Sequence, residues 1–317
     1  MKKISIIILV FSLITCKSHR QDNVNPIQKA ENYNGNSNSP VWEKILGAPE
    51  IIINSLNEMD NVSIYSSYEL NNNEKQLFID YYNLLPMKYK DTITEKVIGI
   101  YFVNNFSGGG MTLPVFDNNG NMYMVLFFNP EVLHETISEW INLRDNSAFT
   151  SDSTISIITV CNSNYYALIH TLVHEAAHVF DYYNHITPFT EKSLKNKKTK
   201  FPTDFVNGIW SDYDVPFAEY DFKDRKNISF YGLGEKIDKK SAVEVFVLLK
   251  HTPFNSLYGS KTWAEDFAES FTWYYLNSYY SISYITIIED ENHSIIYDPN
   301  ENELVKRRYK IFEEIVK

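Results

Sequence analysis

Two histidines four residues apart with a glutamate between them, His174-Glu175-Ala-Ala-His178, constrain this chain more than any other feature. Residues i and i+4 of an α-helix project from one face, one turn apart. The segment is therefore expected to be helical, with both imidazoles converging on one point. That spacing lets both reach a single Zn²⁺ at about 2.0–2.1 Å. It also sets Glu175 beside the open coordination position, where a carboxylate can take a proton from bound water. The same residues could equally be two buried, satisfied histidines and an exposed acid, so a zinc reading needs a third ligand from elsewhere.

Three residues compete for that place. His170 precedes His174 by four, but it lies eight residues, about 12 Å of helix rise, from His178. Those two cannot share an ion, and a His170/His174 pair would leave Thr171 in the position of the base. Asp181 follows His178 by three on the same face, about 10 Å along the axis from His174. With no glycine in Val179-Phe180-Asp181-Tyr182 to break the helix, Asp181 reads either as an acid orienting a ligand imidazole or as a solvated surface residue. Glu265 lies in Thr262-Trp-Ala-Glu-Asp-Phe-Ala-Glu-Ser270, a helical segment in which Glu265 and Glu269 share a face. A glutamate from a second packed helix suits a third ligand, with Glu269 one turn on to bond a ligand histidine. Thr262-x-x-Glu265 is also a capping box, in which Glu265 would serve only its own helix N-terminus.

The stretch Leu257–Phe271, with Tyr258-Gly259, Glu265 and Phe267-Ala268-Glu269, resembles the family of the anthrax lethal factor catalytic domain and the secreted Pro-Pro endopeptidases. The segment His174-Glu-Ala-Ala-His178 followed by Asp181 is similar to that family's HExxHxxxD helix, though here only two residues precede the acid. The resemblance implies a zincin-like fold and peptide-bond hydrolysis. It implies His174, His178 and Glu265 as zinc ligands, Glu175 as general base, Tyr258 as oxyanion donor and Glu269 as an outer carboxylate. It covers only about residues 165–181 and 257–274, so substrate preference does not transfer with it.

At the N-terminus, Met1-Lys2-Lys3 and the apolar run from Ile4 to Leu13 read as a signal segment. The apolar run is shorter than the roughly 20 residues of a spanning helix. Leu13-Ile-Thr-Cys16 resembles a bacterial lipobox, which makes Cys16 the expected lipidation site; a plain secretory signal is the alternative. The expectation is an exported chain anchored by lipid in the cell envelope, at the outer membrane or surface, with no transmembrane helix in the mature protein. If Cys16 carries lipid, Cys161 has no disulfide partner. The net charge of −11 argues against a nucleic-acid partner and names no substrate; a peptide or protein substrate is what the resemblance implies.

Residues 17–40 are Asn/Ser-rich and aperiodic and read as a flexible tether; residues 41–317 read as one domain. Within it, Glu74–Leu85 has a helical stripe, Val97–Val103 is strand-like, and Met111–Phe116 with Met122–Phe128 flank the turn Asp117-Asn-Asn-Gly-Asn121 as a hairpin. Pro130–Leu143 reads as helix, Thr154–Val160 as strand, Tyr165–Tyr183 as the HExxH helix and Lys192–Lys200 as a solvated loop. Gly108-Gly-Gly110 reads as a loop, with room for the following strand to move. The pattern is α+β, a small antiparallel or mixed sheet beside the HExxH helix and a mostly helical C-terminal half. The expected function is that of an exported zinc metallopeptidase of the gluzincin type. An inactive binding lipoprotein on the same scaffold and a zinc amidase acting on cell-wall peptides are the alternatives.

Overall fold

A helix buried on every side organises the molecule. The computed structural model describes residues 25–196 and 198–317; the signal segment, Cys16 and the first part of the expected tether lie outside them. In chain order the helices are α1 (Glu50–Met59), α2 (Asn72–Asn83), α3 (Met87–Lys96), α4 (Ile137–Ser147), α5 (Ala167–Asn184), α6 (Ala242–Leu249), α7 (Trp263–Tyr280), α8 (Glu303–Lys306) and α9 (Tyr309–Val316). The strands are β1 (Ile45–Leu46), β2 (Ser66–Tyr68), β3 (Val97–Asn104), β4 (Gly110–Phe116), β5 (Met122–Phe128), β6 (Ser156–Cys161), β7 (Trp210–Asp212), β8 (Val215–Pro216), β9 (Tyr284–Glu289) and β10 (Ser294–Tyr297). The fold class is α+β.

The larger sheet is mixed, in the order β1-β3-β5-β4 with β2 also on β3. β3 runs parallel to β1 and β5, whereas β4 and β5 form the expected hairpin, Phe116 facing Met122. Both faces of this sheet are covered, which explains the unbroken apolar runs of β3 and β5. On one face Ile100, Phe102, Leu126 and Phe128 join the core around α2, α3 and α5. On the other, Ile98, Tyr101, Val103, Val125 and Phe127 pack under α1 and the segment from Ile27 to Tyr33.

That segment corrects the expected tether. Ile27 and Tyr33 are buried, the Tyr33 hydroxyl donates to the Ile27 carbonyl at 2.7 Å, and its ring lies 5.6 Å from Tyr101. Gly35 runs so close to β3 that a Cβ there would stand 1.7 Å from the Ile98 carbonyl oxygen. Two apolar side chains and one glycine are enough to dock a stretch whose composition is otherwise that of a linker. The C-terminal half also differs from expectation. β9 and β10 form a hairpin that adds to β6 as a second, antiparallel sheet. Among the described residues, 185–241 hold only short elements. The expected helix over Pro130–Leu143 divides into a 3₁₀ turn at Pro130–Leu133 and α4.

α5 has every residue from Ala167 to Tyr182 buried, its six polar residues His170, Thr171, His174, Glu175, His178 and Asp181 included. It packs lengthwise on α7, which is buried almost as fully. Tyr89 from α3 inserts between them, its ring stacked 4.4 Å from Phe180 of α5 and 4.5 Å from Phe271 of α7. The buried Tyr89 hydroxyl has no hydrogen-bond partner, so the ring rather than the phenol sets this spacing. Among the described residues no helix is long and apolar enough to cross a membrane.

Tyr89→Ala is expected to lower unfolding free energy by about 3–5 kcal/mol, the usual cost of an aromatic truncated in a core. Tyr89→Phe removes only a buried unpaired hydroxyl and should be neutral or slightly stabilising. Chemical denaturation checks both, and a loss above about 1 kcal/mol in Tyr89→Phe would show that the hydroxyl, and not the ring alone, holds the two helices.

Candidate metal centre

Because α5 is buried on all sides, each polar residue it carries must find a partner or suffer desolvation. His174 Nε2 lies 3.2 Å from His178 Nε2 and 3.1 Å from Glu265 Oε2. His178 Nε2 lies 3.5 Å from the same carboxylate oxygen. Neighbouring ligands of a tetrahedral ion bound at about 2.0–2.1 Å stand about 3.3–3.4 Å apart. The three donor atoms thus span one face of such a tetrahedron, and two imidazoles and a carboxylate form a donor set that zinc accepts. A single His–Glu hydrogen bond would not require a second ring nitrogen at the same point.

Glu265 reaches this point from the first turn of α7. The Thr262 hydroxyl caps α7 by accepting the Glu265 amide at 3.2 Å. In α2 and α4 the corresponding glutamates, Glu74 and Glu139, fold back to close complete capping boxes. Glu265 does not close its box; its carboxylate turns to the histidines, with about a quarter of the side chain open to solvent. Burial opposes its charge, yet His178 and His174 hold the carboxyl well below the usual range. Burial likewise disfavours a charged His174, but the carboxylates of Glu265, within hydrogen-bond distance at 3.1 Å, and of Glu269 outweigh it and push the imidazole up to about 10.

Glu269 stands behind His174, with Oε1 3.5 Å from Nδ1, a charge contact and not a hydrogen bond, so that ring nitrogen is buried without a partner. Its firm partners are Arg144, whose Nη1 donates to Oε1 at 2.8 Å, and Ser256, whose hydroxyl donates to Oε2 at 2.7 Å. Neither partner carries a signal in the sequence: Arg144 belongs to α4, outside both motifs, and Ser256 precedes the Leu257–Phe271 stretch. His170 is kept from the point where these three donor atoms meet, as its spacing required. Its Nε2 lies 3.5 Å from Glu269 Oε1 and its ring 4.9 Å from Trp273. Burial brings it down to about 3, so it is neutral.

Asp181 falls outside the centre. Both its oxygens accept from Thr187, the amide and the hydroxyl each at 2.6 Å, where the chain turns after α5 at His185. It is neither the solvated acid nor the orienter of a ligand imidazole that the spacing allowed. It closes a helix end, and it is buried because the turn folds back over it.

Glu175 points to β4, the edge strand. The Thr112 hydroxyl donates to Glu175 Oε2 at 2.8 Å, leaving Oε1 free of a protein donor. Burial is the largest influence on this carboxyl and raises it, against the pull of both imidazoles and Thr112. A Cβ at Gly110 would lie 2.8 Å from Glu175 Oε1, and one at Gly109 would lie 3.0 Å from the Thr171 hydroxyl. Gly108 takes a φ of 95°. The glycine run is therefore a close approach of strand to helix rather than a simple loop.

Two hollows flank Glu175. One, of about 190 Å³, extends past Gly109, Trp140 and Tyr231; the other, of about 230 Å³, extends past Leu113, Thr190 and Tyr213. His174, Glu175, Tyr258 and Gly110 line both. The Tyr258 ring lies 5.9 Å from that of His174, and burial raises its phenol well above the ordinary value. Comparison with family models, with curated proteins and with solved structures finds no match for this chain.

In protein stripped of metal, the His174 imidazolium should persist to about pH 10, as read by histidine ¹⁵N NMR. Its folded value lies above the ordinary 6.5, so its contribution to stability is full below about pH 6.5 and fades as pH rises towards 10. Titration of His174 near 6.5 would show that the Glu265 and Glu269 contacts do not hold in solution.

Proposed function

We propose that the protein is a zinc metallopeptidase that hydrolyses bonds within peptide chains. The observation that carries this reading is the triangle of His174 Nε2, His178 Nε2 and Glu265 Oε2, with edges of 3.1 to 3.5 Å, beside the buried carboxylate of Glu175. Bound to these three residues, Zn²⁺ would supply a Lewis acid that polarises a carbonyl and acidifies a water. With Oε2 held by Thr112, Glu175 Oε1 is the atom that accepts the water's proton, and its raised pKa suits both taking that proton and passing it to the leaving nitrogen. Tyr258 stays protonated at neutral pH and is a donor for an oxyanion. The edge of β4 near Glu175, short of the Lys29 bridge at Phe116, can pair with an extended substrate backbone. A hollow on each side of Glu175 leaves room for chain in both directions, which favours internal cleavage over trimming of an end.

The resemblance to the lethal factor and Pro-Pro endopeptidase family supports the same roles for Tyr258 and Glu269 and the zincin-like form of the fold. Export and a lipid anchor at Cys16 belong to the proposal as the sequence expectation that places the enzyme in the cell envelope. A folded chain is expected to bind one Zn²⁺. Metal content near zero after purification with ample zinc would overturn the reading.

Glu175→Gln should keep the metal and lose turnover by about 10²–10⁴-fold, because the base is removed and no ligand is touched. Tyr258→Phe should lower kcat by about 10²–10³-fold with little change in KM. Both are measured on a peptide library with the full mature chain. Cleavage of cell-wall peptides and not of the library would favour the amidase alternative, and zinc bound with no turnover on either would favour a binding protein.

A further inference from the structure

We propose that Arg144 is a positioning residue of this centre, a single guanidinium that fixes the carboxylate behind His174 and the ring of Tyr258. This role rests on the zinc reading of the site. Arg144 is 2% exposed. Its Nε donates to Asp145 Oδ1 at 2.9 Å, its Nη1 donates to Glu269 Oε1 at 2.8 Å, and its Cζ stands 5.2 Å from the centre of the Tyr258 ring. The packing of α4 does not call for a charge here, since buried Ile137, Trp140 and Ile141 supply its apolar contacts. A guanidinium this deep is costly unless paired, and Glu269 is its partner from across the core.

Glu269 has three nitrogens around one oxygen. Besides Arg144, Oε1 lies 3.5 Å from His174 Nδ1 and 3.5 Å from His170 Nε2. Ser256 holds Oε2 at 2.7 Å. With each oxygen held by a different donor, the carboxylate cannot rotate, and Oε1 stays opposite His174 Nδ1. The charge beside Nδ1, which is buried without a hydrogen-bond partner, favours the proton there and would leave Nε2, on the side of His178 and Glu265, as the nitrogen that gives up its proton when zinc binds. Without Arg144, Oε1 is free to turn to His170, which is equally near. The same guanidinium packs on one side of the Tyr258 ring, while Phe230 contacts it with centroids 5.1 Å apart. A cation over a phenol adds attraction as well as bulk. One residue of α4 thereby couples the tautomer of a metal ligand to the placing of the oxyanion donor.

The test uses Arg144→Met, which keeps an unbranched apolar stem without the guanidinium fork, and Arg144→Lys, which keeps charge and serves if the methionine variant does not fold. Zinc affinity, read by competition with a chromophoric chelator, should fall about 10–100-fold in Arg144→Met and recover partly in Arg144→Lys. In a Glu269→Gln background the methionine substitution should cost less than about threefold more, because its route to His174 is already cut. Turnover should show kcat lowered about 10–100-fold with KM changed less than about threefold. In metal-free protein the downfield Nδ1–H signal of His174 should weaken or shift in Arg144→Met. Zinc affinity within about twofold of the parent, or an equal loss in the Glu269→Gln background, would overturn the proposal. If the parent itself binds no zinc, the metal reading fails separately. The Nδ1–H signal then decides the role of Arg144, and a signal unchanged in Arg144→Met refutes it.

Discussion

Charged groups packed between α5 and α7 lose their water, and the walls around them are built to answer that loss. Arg144, His170, His174, Glu175 and Glu269 are all buried in or against that interface, where each would be unfavourable alone. They are tolerated as a connected set. Arg144 answers Glu269, Glu269 faces His174, and His174 meets Glu265 and His178. Burial and pairing pull in opposite directions at nearly every member, and the outcome differs by neighbour. His170 is driven neutral, while His174, flanked by two carboxylates, is driven towards its charged form.

Holding such a set together requires rigid walls. The stacked rings of Phe180, Tyr89 and Phe271 fix the separation of the two helices. On α7 itself, Asp266 takes both terminal nitrogens of Arg308 at 2.7 Å and the Trp210 indole at 2.8 Å. Those bonds tie the C-terminal segment to α7. On the other flank, Gly109 and Gly110 bring β4 close enough for Thr112 to grip Glu175. Helix, strand and side chain are placed by close contact, which fixes the buried polar groups to a fraction of an ångström.

Much of the local structure is legible in the sequence because its signals are local. The Asn-Asn-Gly turn between two apolar runs predicts the β4–β5 hairpin with its ends in register. The period of α5 and the threonine cap of α7 predict two helices with ends near those observed. The docking of residues 25–40 is not legible, since Ile27 and Tyr33 are isolated apolar residues in a polar stretch and only the face of β3 and β5 gives them a place to bury. The β9–β10 hairpin is hidden too, although residues 284–288 are mostly β-branched. Its strands alternate only weakly in polarity, Ile285 and Ile287 lying opposite the buried Thr286 and Ile288.

Which residues can act as donors, and which of them share a helix face, follows from the amino-acid order alone, because the α-helical period is fixed by backbone geometry. That was sufficient for His174 and His178 to converge, for His170 to be excluded, and for Glu265 and Glu269 to lie one turn apart. Only the tertiary structure decided that Glu265 turns from its own cap to the histidines, that Asp181 serves a turn instead, and that Thr112 and Arg144 hold Glu175 and Glu269. The reason is separation along the chain. Thr112 meets Glu175 across 63 residues and Arg144 meets Glu269 across 125; no periodicity extends that far, and such pairs are fixed only when the packed core closes around them.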